Sequence, residues 1–414
     1  MHKFLFLFLA FNIGSAAFAD VDAVGDHFED WLNYERQFAE SRILDNISPQ
    51  RARRGAVIAS PSKHNPNYYY HWVRDGALVM DIWMRRLEGY PSRLSNANLE
   101  ALMWDFVHFT EYGQHIPALS GLGEPRYDVD GFPNQEPWGR PQNDGPALRA
   151  SLLIRFAYYL IGNGQIEVVK SKLWPVIMND LYYTGDQVSV PSFDLWEEIK
   201  GDHFYTRVAC REALLLGSDL AAALGDYGRS GWYSTQAQIA QSLALDHVNV
   251  QRQQIIENTN RVDGIWYKDS GLDVASLLAL LHTTRKPILN LNDQVVMSTI
   301  NKIEQSFNSI YPINRRFSDL GASIGRYPED TYYNGNPWFL ATFAFAEYYY
   351  RLGDRAKGDG YMKRGAFHAH RKGHMSEQMD KQSGYMLSAE DLTWSYAAFL
   401  TALEARQKYT SNKR

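Results

Sequence analysis

Two acidic clusters carry the clearest chemical signal in the chain: Asp194-Leu-Trp196-Glu197-Glu198 and, far downstream, Glu377-Gln-Met-Asp380. Basic and aromatic residues gather in further stretches. Tyr68, Trp72, Arg74 and Asp75 share NPNYYYHWVRD at 65–75, Trp138 opens WGRPQND at 138–144, and Arg326 and Asp330 bound RYPED ahead of Trp338. Two carboxyls facing one another across an aromatic pocket suit cleavage of a glycosidic bond. One, kept protonated, donates to the departing oxygen; the other, ionised, acts as base or nucleophile. Arginine and aspartate beside them can hold hydroxyls through charge-assisted bonds, and aromatic rings can lie against the flat, partly apolar face of a sugar. Taken singly, each feature has a plainer explanation. Glu197-Glu198 reads as a solvated charge pair, and Arg74-Asp75 as an ion pair at a helix start. Their concentration in a few segments is what favours a joint site.

Those segments are the connections of a helical chain. Helical periodicity recurs throughout, while strand-like alternation is scarce; Leu99, Leu102, Met103, Phe106 and Phe109 form one helical face. The pattern predicts helices at 28–47, 75–88, 97–112, 146–161, 166–180, 203–224, 233–256, 273–282, 292–309, 337–351, 357–370 and 390–407. Pro146 and Pro337 fall in predicted first turns, and Gly162, Gly225 and Gly353 just past predicted ends. Long links at 48–74, 113–145, 181–202, 257–272, 310–336 and 371–389 alternate with mostly short ones. Successive helices joined by short links run antiparallel, so strict alternation brings all six long links to one end. The expected fold is all-α, an (α/α)6 barrel of twelve helices, with a functional pocket among the long loops.

Five stretches in order then resemble glycoside hydrolase family 15, the glucoamylases, in its fungal-type branch. They are NPNYYYHWVRDGALV (65–79), WGRPQNDGPALRA (138–150), FDLWEEIKGDHFYT (193–206), RYPEDTYYNGNPWFLATFAFAE (326–347) and SEQMDKQSGYMLSAEDLTWSYAAFLTA (376–402). The resemblance implies the same barrel fold. It also implies an exo-acting, inverting hydrolase that releases β-D-glucose from non-reducing ends of α-1,4-glucans such as starch, glycogen and maltooligosaccharides. By position, Glu197 matches the general acid and Glu377 the general base that activates water. Asp194 takes a supporting electrostatic role, and Glu198 contacts the sugar beyond the cleavage point. Arg74 and Asp75 match the pair gripping the terminal glucose, Arg326 and Asp330 a second polar clamp, and Tyr68, Trp72, Trp138, Trp196 and Trp338 the aromatic wall. No cofactor and no metal are implied. The chain departs from the fungal pattern at Lys200, just past the acid pair, which leaves the outer-subsite preference open. It also has no cysteine pairs. Residues 20–414 read as a single catalytic domain with no starch-binding module, acting as a monomer. Two other classes stand as alternatives: another barrel enzyme, trehalase-like or a phosphorylase, and a non-catalytic glucan-binding protein. A phosphorylase needs one acid and a phosphate pocket, which Glu377 argues against.

Composition narrows the field further. The 414 residues include 42 basic and 47 acidic ones, for a net charge of −5, so a general nucleic-acid binder is disfavoured. The count of 11 Trp, 26 Tyr and 20 Phe suits either a large core or an aromatic binding site. Residues 1–19, MHKFLFLFLAFNIGSAAFA, read as a secretory signal peptide, which predicts an exported, secreted or periplasmic protein. No membrane-spanning segment is expected, because the apolar run is too short to cross a bilayer. A single Cys210 excludes internal disulfides and reads as a small buried hydrophobe. His368, His370 and His374 read as a solvated basic helix end rather than a metal site, and Asp128-Val-Asp-Gly131 lacks the glutamate an EF-hand needs.

Overall fold

The computed structural model describes residues 24–25, 27–369 and 373–411; the predicted signal peptide and His370 lie outside them. Among the described residues, twelve helices reach eight residues or more. They are α1 Phe28–Asp45, α2 Val73–Leu87, α3 Asn96–Gln114, α4 Asp144–Gly162, α5 Trp174–Asp186, α6 Phe204–Ala223, α7 Tyr227–Leu245, α8 Ala275–His282, α9 Gln294–Ile310, α10 Phe339–Arg351, α11 Arg355–His368 and α12 Thr393–Ser411. Each even-numbered helix packs on the next, and α12 closes the ring on α2. Around that ring, α1 packs on α12, α3 on α2, α5 on α4, α7 on α6 and α11 on α10.

Burial follows from this two-layer arrangement. Inner helix α10 buries every residue from Phe339 to Tyr350, as a helix with neighbours on all sides must. Outer helix α9 buries one stripe, Val296, Thr299, Ile300, Ile303 and Phe307. The expected all-α barrel of six helix pairs is therefore the observed fold. Among the described residues no helix is long and apolar enough to cross a membrane.

Several boundaries move for local reasons. Helix α7 starts at Tyr227 rather than 233, because the Asp226 side chain accepts from Arg229 N at 3.1 Å and caps it; that cap outweighs the low helix propensity of Gly228 and Gly231. Its end also comes early, since the chain turns into a hairpin of Val248–Asn249 with Gln254–Ile255. The helix predicted at 166–180 is broken by a π turn at Val169–Leu173 ahead of α5, next to Pro175, whose missing N–H and ring disturb a regular ladder. Pro337 precedes α10 in extended backbone, where its carbonyl accepts from Met379 N. Gly162 is the last residue of α4, and Gly164, at φ +77°, takes the left-handed position.

The long links are braced by small antiparallel sheets, which the helical periodicity did not reveal. Strand β1 (His71–Trp72) pairs with β2 (Arg126–Tyr127). Strands β3 (Ser192–Phe193), β4 (Ile199–His203) and β5 (Asn258–Gly264) form a sheet in that order. Strand β6 (Gln378–Met379) pairs with β7 (Met386–Leu387). These pairings fix loop backbones that would otherwise be free to move.

Candidate active site

A cavity of about 610 Å³ opens among the long links. Five of the six supply its wall, including Tyr68 and Trp72, Trp138, Glu197 and Glu198, Arg326, and Glu377; the ends of inner helices add Arg74, Asp75 and Trp394. The link at 257–272 stands behind this wall.

Glu197 sits in the tight turn between β3 and β4, at φ +68°, a strained setting for a residue with a side chain. Asp194 holds that turn. Its Oδ1 accepts from Glu198 N at 2.8 Å and Ile199 N at 3.1 Å, and its carbonyl from Glu197 N at 2.9 Å. Asp194 is thus buried beneath the turn and is not among the cavity-lining residues. Glu197 Oε1 accepts from Trp72 Nε1 at 2.7 Å and Gln142 Nε2 at 3.0 Å. Both bonds fall on one oxygen.

Glu377 is fixed by the β6–β7 hairpin. Its Oε2 accepts from Ser388 Oγ at 2.5 Å and Gln378 Nε2 at 3.0 Å, again on one oxygen. Burial raises both carboxyls. For Glu197 the Arg74 guanidinium, Gln142 and Trp72 offset part of the effect. Glu377, farther from compensating charge, is pushed up to about 7 despite hydrogen bonds from Ser388 and Tyr68 and the pull of Arg326. The pocket therefore presents two buried carboxyls from separate links, both shifted toward the protonated form.

The sequence model of Glycosyl hydrolases family 15 matches residues 37–360 and 355–404. A glucoamylase of Blastobotrys adeninivorans is 32% identical, over 96% of this chain and 75% of its own length. Glucoamylase 1 of Rhizopus oryzae is 34% identical, over 91% and 70%. The solved Hypocrea jecorina family 15 glucoamylase superposes with a TM-score of 0.86 at 32% identity, covering 92% of this chain and 72% of that one. The Saccharomycopsis fibuligera glucoamylase gives 0.86 at 26% identity, covering 98% and 99%. The chain belongs to glycoside hydrolase family 15.

The other residues expected of a family 15 site divide into those on the cavity and those behind it. Arg74 donates from Nη1 to Gln142 Oε1 at 2.9 Å and Asp144 Oδ2 at 3.1 Å, and stands 3.7 Å from Asp75. Arg326 bridges two acids. It donates to both oxygens of Asp330 at 2.8 and 2.5 Å and to Glu198 Oε1 at 2.8 Å, while Tyr327 OH donates to Glu198 Oε2 at 2.5 Å. Asp330 orients Arg326 and does not line the cavity. The aromatic wall is continuous in two parts. Trp72 meets Tyr68 at 5.4 Å and Trp138 at 6.1 Å between centroids, and Trp196 meets Trp338 at 5.6 Å. Trp196 Nε1 donates to Asp273 Oδ1 at 3.0 Å, and Asp273 is in turn paired with buried Lys268.

Several contributors escaped the sequence reading. Gln142 and Ser388 lie inside the quoted motifs, but neutral polar residues do not stand out by charge. Trp394 and Tyr332 also lie in those motifs. Arg126 lies outside them; its guanidinium sits 3.8 Å over the Trp138 ring, a contact only the β1–β2 pairing creates. No cluster of three metal-ligating side chains occurs among the described residues. His368 is not a solvated helix end. It is buried, bonded to the Gly384 carbonyl at 3.0 Å and held neutral, with burial lowering it to about 3. His374 instead meets Asp391 at 2.8 Å. Cys210 is buried and its thiol pushed up to about 12, which suits packing and not nucleophilic attack.

Proposed function

We propose that this chain is an exo-acting glucan 1,4-α-glucosidase that releases β-D-glucose from non-reducing ends by single displacement. The observation that carries the reading is the pair of buried glutamates, one from the third long link and one from the sixth, on one aromatic-walled cavity. The printed names of the family 15 relatives support the substrate class. Glu197 donates its proton to the glycosidic oxygen, and Glu377 takes a proton from the attacking water. Positive charge developing at the anomeric carbon favours ionised Glu377. Arg74 and Asp75 grip the terminal glucose, and Glu198 with Arg326 holds the next ring. The chemistry needs only these side chains and water. Starch, glycogen and maltooligosaccharides are the proposed substrates, and the protein is read as an exported monomer.

Proton NMR of the anomeric signal during the first minutes of maltose hydrolysis tests the mechanism. β-Glucose is expected first; early α-glucose overturns single displacement. Glu197→Gln is expected to lose turnover by several orders of magnitude while still binding maltose, and near-normal turnover overturns its role.

A further inference from the structure

The link at 257–272 lies outside the cavity, yet it is bolted to the residues that frame it. Strand β5 pairs Lys200 with Asp263 and Ile199 with Gly264. Directly beyond, Ile265 N donates to the Glu198 carbonyl at 3.0 Å. Two residues on, Tyr267 OH bonds Thr331 Oγ1 at 2.8 Å, beside Asp330 and cavity-lining Tyr332. Buried Lys268 then anchors the link, paired with Asp273 and 4.1 Å over the Tyr327 ring. Between these fixed points stands Trp266. Its backbone is held by Arg261 Nη1, which donates to its carbonyl at 3.1 Å. Trp266 is nevertheless 63% exposed, and Tyr267 44%.

Tyr267 is tied through its hydroxyl and Trp266 through its backbone, so two neighbouring aromatic residues stand in solvent on a fixed segment, where a ligand can reach them. An exo-acting enzyme takes only the chain end into its pocket, so the rest of a polymeric substrate must leave over the rim. The Glu198–Arg326 clamp marks the side of exit, and Trp266 adjoins it through Ile265. Half-buried Lys200 and exposed Asp263 stand next to it and can bond sugar hydroxyls.

We propose that Trp266 and Tyr267 form an outer subsite, a stacking platform for the α-glucosyl residues that emerge beyond the Glu198–Arg326 clamp; this deepens, and rests on, the α-glucan reading above. Maltose is too short to reach it, whereas longer oligosaccharides cross it. The platform's energetic value is that of an aromatic contact, enough for about a fivefold effect.

The test compares kcat/KM for maltoheptaose with that for maltose in the wild-type protein, Trp266→Ala and Trp266→Phe. The ratio of the two is independent of how much enzyme is folded. It is expected to fall about fivefold in Trp266→Ala and to be largely retained in Trp266→Phe, which keeps a ring. An unchanged ratio in Trp266→Ala overturns the proposal, whether or not overall activity drops. Failure of the wild-type protein to release glucose from maltose would instead overturn the α-glucosidase reading itself.

Discussion

Removing the Ser388 hydroxyl should move one limb of the pH profile and leave the other in place. Ser388 Oγ donates to Glu377 Oε2 at 2.5 Å, and the residue sits at φ +67°, so Ser388→Gly deletes the donor without adding backbone strain. The bond favours the ionised carboxylate. Burial already raises Glu377 to about 7, and losing the donor raises it further. A hydrogen bond to a charged group contributes about 1.5–3 kcal/mol. Gln378 remains on the same oxygen, so the lower figure applies, and about 1.4 kcal/mol corresponds to one pKa unit. If Glu377 must be ionised to act, activity disappears as pH falls through its pKa. The acid limb of kcat, which reports the occupied pocket, should therefore move up by about one pH unit, with the alkaline limb unchanged. Trp72→Phe provides the converse. It removes the 2.7 Å donor to Glu197, raises that carboxyl, and should move the alkaline limb up, because Glu197 must stay protonated. The assay is kcat at saturating maltoheptaose across pH, with each profile normalised to its own maximum. Movement of the alkaline limb instead of the acid limb in Ser388→Gly would mean that the two glutamates have exchanged roles. No shift in either limb would mean that Ser388 does not act on a catalytic carboxyl.

Three other perturbations test the scaffold. Arg326→Lys replaces a planar fork that holds Asp330 and Glu198 together with a point charge that cannot; kcat/KM for maltose is expected to fall about 10- to 100-fold, with the circular dichroism spectrum unchanged. Gly264 lies at φ +91°, and a Cβ there would collide with the Glu198 carbonyl oxygen. Gly264→Ala should therefore lower Tm, by strain of about 1–3 kcal/mol, and activity together; a normal Tm would show that β5 tolerates displacement. Asp180, which accepts from Arg149 Nε and Nη2 at 2.7 Å each, is fully buried between α4 and α5. Asp180→Ala leaves that guanidinium unpaired and should cost about 3–5 kcal/mol in denaturant unfolding.

The sequence by itself determined the ring of helix pairs, because a 3.6-residue period and alternating link lengths are local properties of the chain. Charged residues crowded into loops made the segments conspicuous, and the family resemblance within them pointed to Glu197, Glu377, Arg74, Asp75 and Arg326. Helix ends were less legible: Asp226 starts α7 through a cap that outweighs two glycines. The roles within the site belong to tertiary structure. Asp194, expected to give electrostatic support, and Asp330, expected to share a polar clamp with Arg326, both lie behind the cavity wall, one clamping the Glu197 turn and the other orienting Arg326. His368, read as solvated, is buried because the β6–β7 hairpin brings the Gly384 carbonyl onto its ring. Ser388 and Gln142 acquire meaning only when folding sets them against a carboxylate. Burial is the common reason. Desolvation raises a carboxyl's pKa and gives each remaining hydrogen bond its weight, and it depends on what distant segments cover, which no single stretch of sequence contains.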